Sequence, residues 1–163
     1  MAIRNIVTEG DEILRKKCRE VTEVNDRIRE TLSDMLETMR EAYGVGIAAP
    51  QVGIMRRMFV AEPEPDAEIE RVYYMINPVI IEVSDNLVEG SEGCLSVPDV
   101  IGDVMRPDYV KMEALDLNGN KQVYEFHDFD ARVMLHEYDH LEGILYIDKA
   151  ENIRDAAMEE EQE

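Results

Sequence analysis

The sequence predicts an α+β fold: antiparallel strands around one buried central metal-binding helix, plus an N-terminal helix. Three observations carry that expectation. Residues 25–43 repeat apolar side chains at helical spacing. Residues 109–126 alternate apolar and polar side chains around Asn118-Gly119, the mark of a hairpin. Residues 129–143, "FDARVMLHEYDHLEG", form a second helical stretch with His136 and His140 one turn apart on one face.

On the first helix, Ile28, Leu32, Met35, Leu36 and Met39 form one stripe. Asn25 is its N-cap, Asp26 sits in the first turn, and Gly44 is its stop. Residues 44–53, "GVGIAAPQVG", hold too much glycine for a helix. They read as a loop or edge stretch whose backbone comes close to another group. "RRMFVAEP" follows as a strand, then an acidic, proline-containing loop, then a strand over 70–83 interrupted at Asn77-Pro78. After the second helix, Gly143 is a C-cap and "ILYID" reads as a last strand. No repeat or linker divides the chain, so residues 1–150 form a single domain. Residues 151–163 form an acidic C-terminal tail, disordered or briefly helical.

A length of 163 residues suffices for one proper core. The net charge of −20 argues against direct nucleic-acid binding, which needs a basic face. No apolar run approaches membrane-spanning length. The first residues lack the continuous apolar core of a signal peptide. Two cysteines, Cys18 and Cys94, make no disulfide framework. A cytoplasmic protein with reduced thiols is expected.

His136 and His140 can converge on one cation, while Glu137 points off that axis and is placed for acid–base work. His127 lies outside this spacing and is read as structural. Two histidines leave a catalytic site one protein ligand short. One protease pattern places a third histidine three residues after the glycine, but Tyr146 stands there. Glu151 and Asp155 have no convincing helix to carry them. The better candidate is Cys94 in "EGSEGCLSVP", since a thiolate is a good soft ligand.

The blocks "GVGIAAPQVG", "EGCLSVP" and "HEYDHLEG" follow in the order and spacing of the peptide deformylase family, which the chain resembles from "DEILRKKCREV" to "ILYID". The resemblance implies that Cys94, His136 and His140 hold one metal ion per chain. In the family that ion is Fe2+ in the cell, with Zn2+, Ni2+ or Co2+ able to substitute. Glu137 is then the catalytic acid/base, and the Gln51 side chain and Leu95 backbone N–H stabilise an oxyanion. Gly46 lets a substrate backbone pair closely, and Val45, Phe129 and Val133 are the candidates for a methionine pocket. Residues 1–150 are then a catalytic metallohydrolase domain acting on N-formylmethionyl nascent peptides near the ribosome.

Three positions depart from the family pattern. Leu135 stands where many relatives have glutamine, with little expected effect on chemistry. Ile101 stands where some carry an arginine that contacts the substrate backbone, and Arg106 nearby is read as a structural ion pair. The acidic tail replaces the basic ribosome-docking helix of some relatives, so no such docking is expected.

Overall fold

The computed structural model describes residues 2–157, in which the strands form two antiparallel sheets. Helix α1 spans Asp26–Glu41 and helix α2 spans Asp128–Leu141. Strands β1 (Gly46–Ala48), β2 (Met58–Ala61), β3 (Tyr73–Val83), β6 (Tyr109–Leu115) and β7 (Lys121–His127) make a five-stranded sheet in the order β1-β2-β3-β6-β7. Strands β4 (Leu87–Cys94), β5 (Val97–Pro107) and β8 (Glu151–Asp155) make the other, in the order β4-β5-β8.

Helix α1 starts where expected, with the Asn25 side chain accepting from the Ile28 N–H at 3.0 Å. Leu32, Met35 and Met39 are fully buried, and Ile28 and Leu36 pack at the margin of the same cluster. The stop is not Gly44. Tyr43 takes the left-handed conformation, φ 59, and donates to the Arg40 carbonyl, while Gly44 donates to that of Met39. Gly44 is glycine for a different reason: a Cβ there would lie 2.8 Å from Leu95 Cδ1.

The interruption at Asn77-Pro78 is a bulge within β3, not a break. Asn77 has φ 50, and the register against β6 shifts between Ile76 and Val79. The Asn77 side chain holds both the N–H and the carbonyl of Val21, each at 2.8 Å. The hairpin β6–β7 pairs in unbroken register from Tyr109↔His127 to Leu115↔Lys121. At its turn only Gly119 has positive φ; the Asp116 carboxylate holds the backbone N–H groups of Asn118 and Asn120.

Helix α2 packs against strands of both sheets. From Val133 to Leu141 every residue but Tyr138 is buried, so this half has no solvent face. Gly143 closes it in the left-handed region at φ 76, with Ile144 donating to Asp139.

Two expectations for the C-terminal region fail. "ILYID" is not a strand: Tyr146–Asp148 is a 3-10 turn that seats the buried Tyr146 side chain. The tail is neither disordered nor helical at its start, because Glu151–Asp155 adds to β5 as β8. Arg154, opposite Ile101 in the register, reaches Asp103 at 3.1 Å and Ser91 at 3.0 Å. An acidic segment can pair here because backbone groups, not side chains, make the ladder. The remainder of the tail, 158–163, lies outside the described residues. No helix among the described residues is long and apolar enough to cross a membrane.

Gly143→Ala should be severely destabilising. The residue has positive φ, and its Cβ would lie 2.6 Å from the Arg15 carbonyl oxygen. Urea denaturation should show a loss of about 2–4 kcal/mol.

Candidate active site

Helix periodicity sets His136 and His140 on one side of α2, with their rings 5.1 Å apart. Cys94 ends β4 against that side, with its Sγ 3.3 Å from His140 Nε2. The donor atoms of Cys94, His136 and His140 all lie within 4.8 Å of one another. His136 meets Glu92 Oε1 through Nδ1 at 2.8 Å. A carboxylate only accepts, so Nδ1 carries the proton and Nε2 is left to face the other donors. The Tyr146 ring stacks on His136 at 5.9 Å, so the residue standing where a third histidine was sought braces a donor instead.

Glu137 is buried, and its Oε1 has no hydrogen-bond partner. Burial pushes its carboxyl up to about 7, so it can hold or release a proton near neutrality. A Cβ at Gly46 would lie 2.5 Å from Glu137 Oε2, so glycine there makes room for this carboxyl. Three clustered soft and borderline donors beside an orphaned carboxyl oxygen suit a transition metal.

A buried charge network supports these residues. Glu92 accepts from Arg106 Nη2 at 2.8 Å and from Arg132 Nη1 at 2.7 Å, besides His136. Arg106 also reaches Asp139 at 2.9 Å, as the structural ion pair expected of it, and Lys149 pairs with Asp139 at 3.0 Å. Burial alone would raise the Glu92 carboxyl, but hydrogen bonds from His136 and Arg106 outweigh it and hold the group down to about 2.

The Gln51 carboxamide is fixed at both ends. Its oxygen accepts from Ala48 N–H at 2.9 Å, and its Nε2 lies 3.0 Å from Ser96 Oγ and 3.5 Å from Cys94 Sγ. Leu95 lies in the tight turn between Cys94 and Val97. A cleft of about 440 Å³ runs beside these residues, between β1 and β4, the outer strands of the two sheets, with α2 as its floor. Val45, Gly46, Cys94, Leu95, Phe129, Val133, His136 and Glu137 all line it.

His127 is exposed, at the start of α2, with its ring tilted against Tyr109. Sequence reasoning missed Glu92, Arg132, Asp139 and Ser96. A signal for three of them existed. Glu92 is two residues before Cys94 and so shares its strand face, while Arg132 and Asp139 are helical neighbours of His136 at i−4 and i+3.

A Cys-His-His donor set with both histidines buried, a buried carboxyl beside it and a cleft between two strand edges define a metal-dependent hydrolase. A family model described as Polypeptide deformylase matches residues 3–156, and the chain belongs to the peptide deformylase family. It is 51% identical over 148 residues to peptide deformylase 1 of Clostridium perfringens, covering 91% of this chain and 98% of that one. It is 46% identical to the peptide deformylase of Symbiobacterium thermophilum, covering all of this chain and 74% of that one. The crystal structure of the Thermotoga maritima peptide deformylase matches with a TM-score of 0.88 at 35% identity, over 93% of this chain and 99% of that one. An Acinetobacter baumannii peptide deformylase structure with Met-Ala-Ser bound matches with a TM-score of 0.85 at 37% identity, over 90% and 98%.

Two outcomes follow from this geometry. Glu92→Gln leaves the Arg132 guanidinium without its carboxylate and Arg106 with Asp139 alone, and urea unfolding should show a loss of about 3–5 kcal/mol. Alkylation should separate the cysteines. Burial pushes the Cys18 thiol up to about 11, against the lowering by Arg57, while Cys94 lines the cleft. In metal-free folded protein at about pH 8, iodoacetamide should modify Cys94 alone, and mass spectrometry should find Cys18 modified only after denaturation.

Proposed function

We propose that this chain removes the formyl group from the N-terminal formylmethionine of newly made polypeptides, with Cys94, His136 and His140 holding a single ferrous ion. The observation that carries the reading is the convergence of those three donors beside the unpartnered Glu137 oxygen. When bound, the ion supplies Lewis-acid polarisation and makes water a nucleophile at neutral pH.

The chain's own residues do the rest. Glu137 takes a proton from the attacking water and delivers it to the leaving amine, a task suited to a carboxyl pushed up to about 7. Gln51 Nε2 and the Leu95 N–H donate to the oxyanion as the carbonyl carbon becomes tetrahedral. Because Ser96 and Ala48 already hold the Gln51 carboxamide, little reorganisation is needed. The outer strands β1 and β4 pair with an extended peptide, and Val45, Val133 and Phe129 receive the methionine side chain. The Met-Ala-Ser peptide bound to the Acinetobacter baumannii relative supports such an occupant. Formate leaves, and the peptide keeps a free amine. The reaction takes place in the cytoplasm close to the ribosome.

Anaerobic loading with iron or nickel, followed by formyl-Met-Ala-Ser, tests this directly. Wild-type protein should release formate. Glu137→Ala should keep its metal and lose turnover by about a hundredfold or more. Fully metallated wild type that releases no formate would remove the reading.

A further inference from the structure

The charge network behind the donor set reaches solvent at a lysine. Glu92, Arg106 and Asp139 are buried, and the Arg106 side chain is only 3% exposed. The Lys149 side chain is 43% exposed, yet its Nζ lies 3.0 Å from Asp139 Oδ2. From there the contacts run inward without a gap. Asp139 Oδ2 accepts from Arg106 Nη1 at 2.9 Å, and Arg106 Nη2 donates to Glu92 Oε1 at 2.8 Å. Glu92 Oε1 then meets His136 Nδ1 at 2.8 Å. A metal donor is thus joined to a surface ammonium through three buried charged side chains.

The charge balance explains the lysine. Arg106 is one cation shared by two buried carboxylates. Each carboxylate has a further cation of its own: Arg132 for Glu92, and Lys149 for Asp139. Without Lys149, Asp139 would hold only its share of Arg106. A low-dielectric interior strengthens the pull of an undercompensated carboxylate on the nearest cation. That cation is Arg106, whose Nε and Nη2 form a fork on Glu92. Drawing the guanidinium toward Asp139 loosens the fork, and Glu92 is the group that orients the His136 ring.

The backbone places Lys149 for this contact. The N–H groups of Lys149 and Ala150 both donate to the Tyr146 carbonyl at 2.9 Å. Tyr146 packs its ring on His136 and donates its hydroxyl to the Val100 carbonyl at 3.1 Å. The turn that follows α2 therefore touches that helix twice, through a ring at His136 and a charge at Asp139.

We propose that Lys149 is a positioning residue for the metal donors, acting on His136 through Asp139, Arg106 and Glu92. This rests on Cys94, His136 and His140 holding the ion proposed above. Metal-stripped protein is titrated with cobalt(II) against a chromophoric chelator, and the visible spectrum of the cobalt-loaded protein is recorded. Lys149→Met should weaken cobalt affinity by about three- to tenfold and shift the cobalt d–d bands. Its Tm should fall by no more than about 3 °C, because a half-exposed ion pair adds little to folding. Lys149→Arg should keep the wild-type affinity and spectrum. In an Asp139→Asn background, Lys149→Met should change neither. Unchanged affinity and spectrum in Lys149→Met overturn the inference and leave the metal reading standing. So does an effect of that substitution that persists in the Asp139→Asn background. Wild type that takes up no cobalt overturns the metal reading and the inference with it.

Discussion

The arrangement depends on one buried anion. Glu92 sits on β4 and is held by Arg106 from β5 and by Arg132 and His136 from α2. Taking several charges out of water costs several kcal/mol for each. The cost is offset only because the carboxylate is fully coordinated and Arg106 has a second anion in Asp139. Remove Glu92, and Arg132 loses its carboxylate, His136 loses its acceptor, and Arg106 keeps Asp139 alone. The network sets how the helix is oriented against the small sheet, since hydrogen bonds have direction and apolar contacts do not.

That constraint sets the donor cluster. Glu92 and Cys94 are two residues apart on one strand and face the same way. Once Glu92 is bonded to His136, Cys94 is carried to His140 across the helix. The same contact fixes which imidazole nitrogen of His136 is free, so tautomer and placement are set together. Tyr146 closes the other side of the His136 ring.

The cleft follows from where the two sheets end. β1 and β4 are both outermost strands, and such strands usually risk unwanted pairing. Here they flank a narrow channel whose width is set by side chains from the facing wall. Leu95 fills the space over Gly44, and Glu137 the space over Gly46. Glycine at both places reflects these close approaches, not a need for unusual backbone angles.

The sequence by itself determined the parts governed by short-range regularities. The stripe on α1, the β6–β7 hairpin and the helix bearing His136, Glu137 and His140 follow from periods of 3.6 and 2, which neighbouring residues impose on one another. Cys94 was reached by elimination and by resemblance, because nothing local ties a thiol to histidines more than forty residues away. Local signals misled where a distant contact competed. Gly44 resembled a helix stop but answers to Leu95, "ILYID" resembled a strand but turns to bury Tyr146, and an acidic tail resembled disorder until β5 offered it a free edge. The convergence of the donors, the Glu92 network and the two-edged cleft were decided only by the tertiary structure. Each brings together groups far apart in the chain, and their energy comes from burial and charge pairing that exist only once the chain has closed around them.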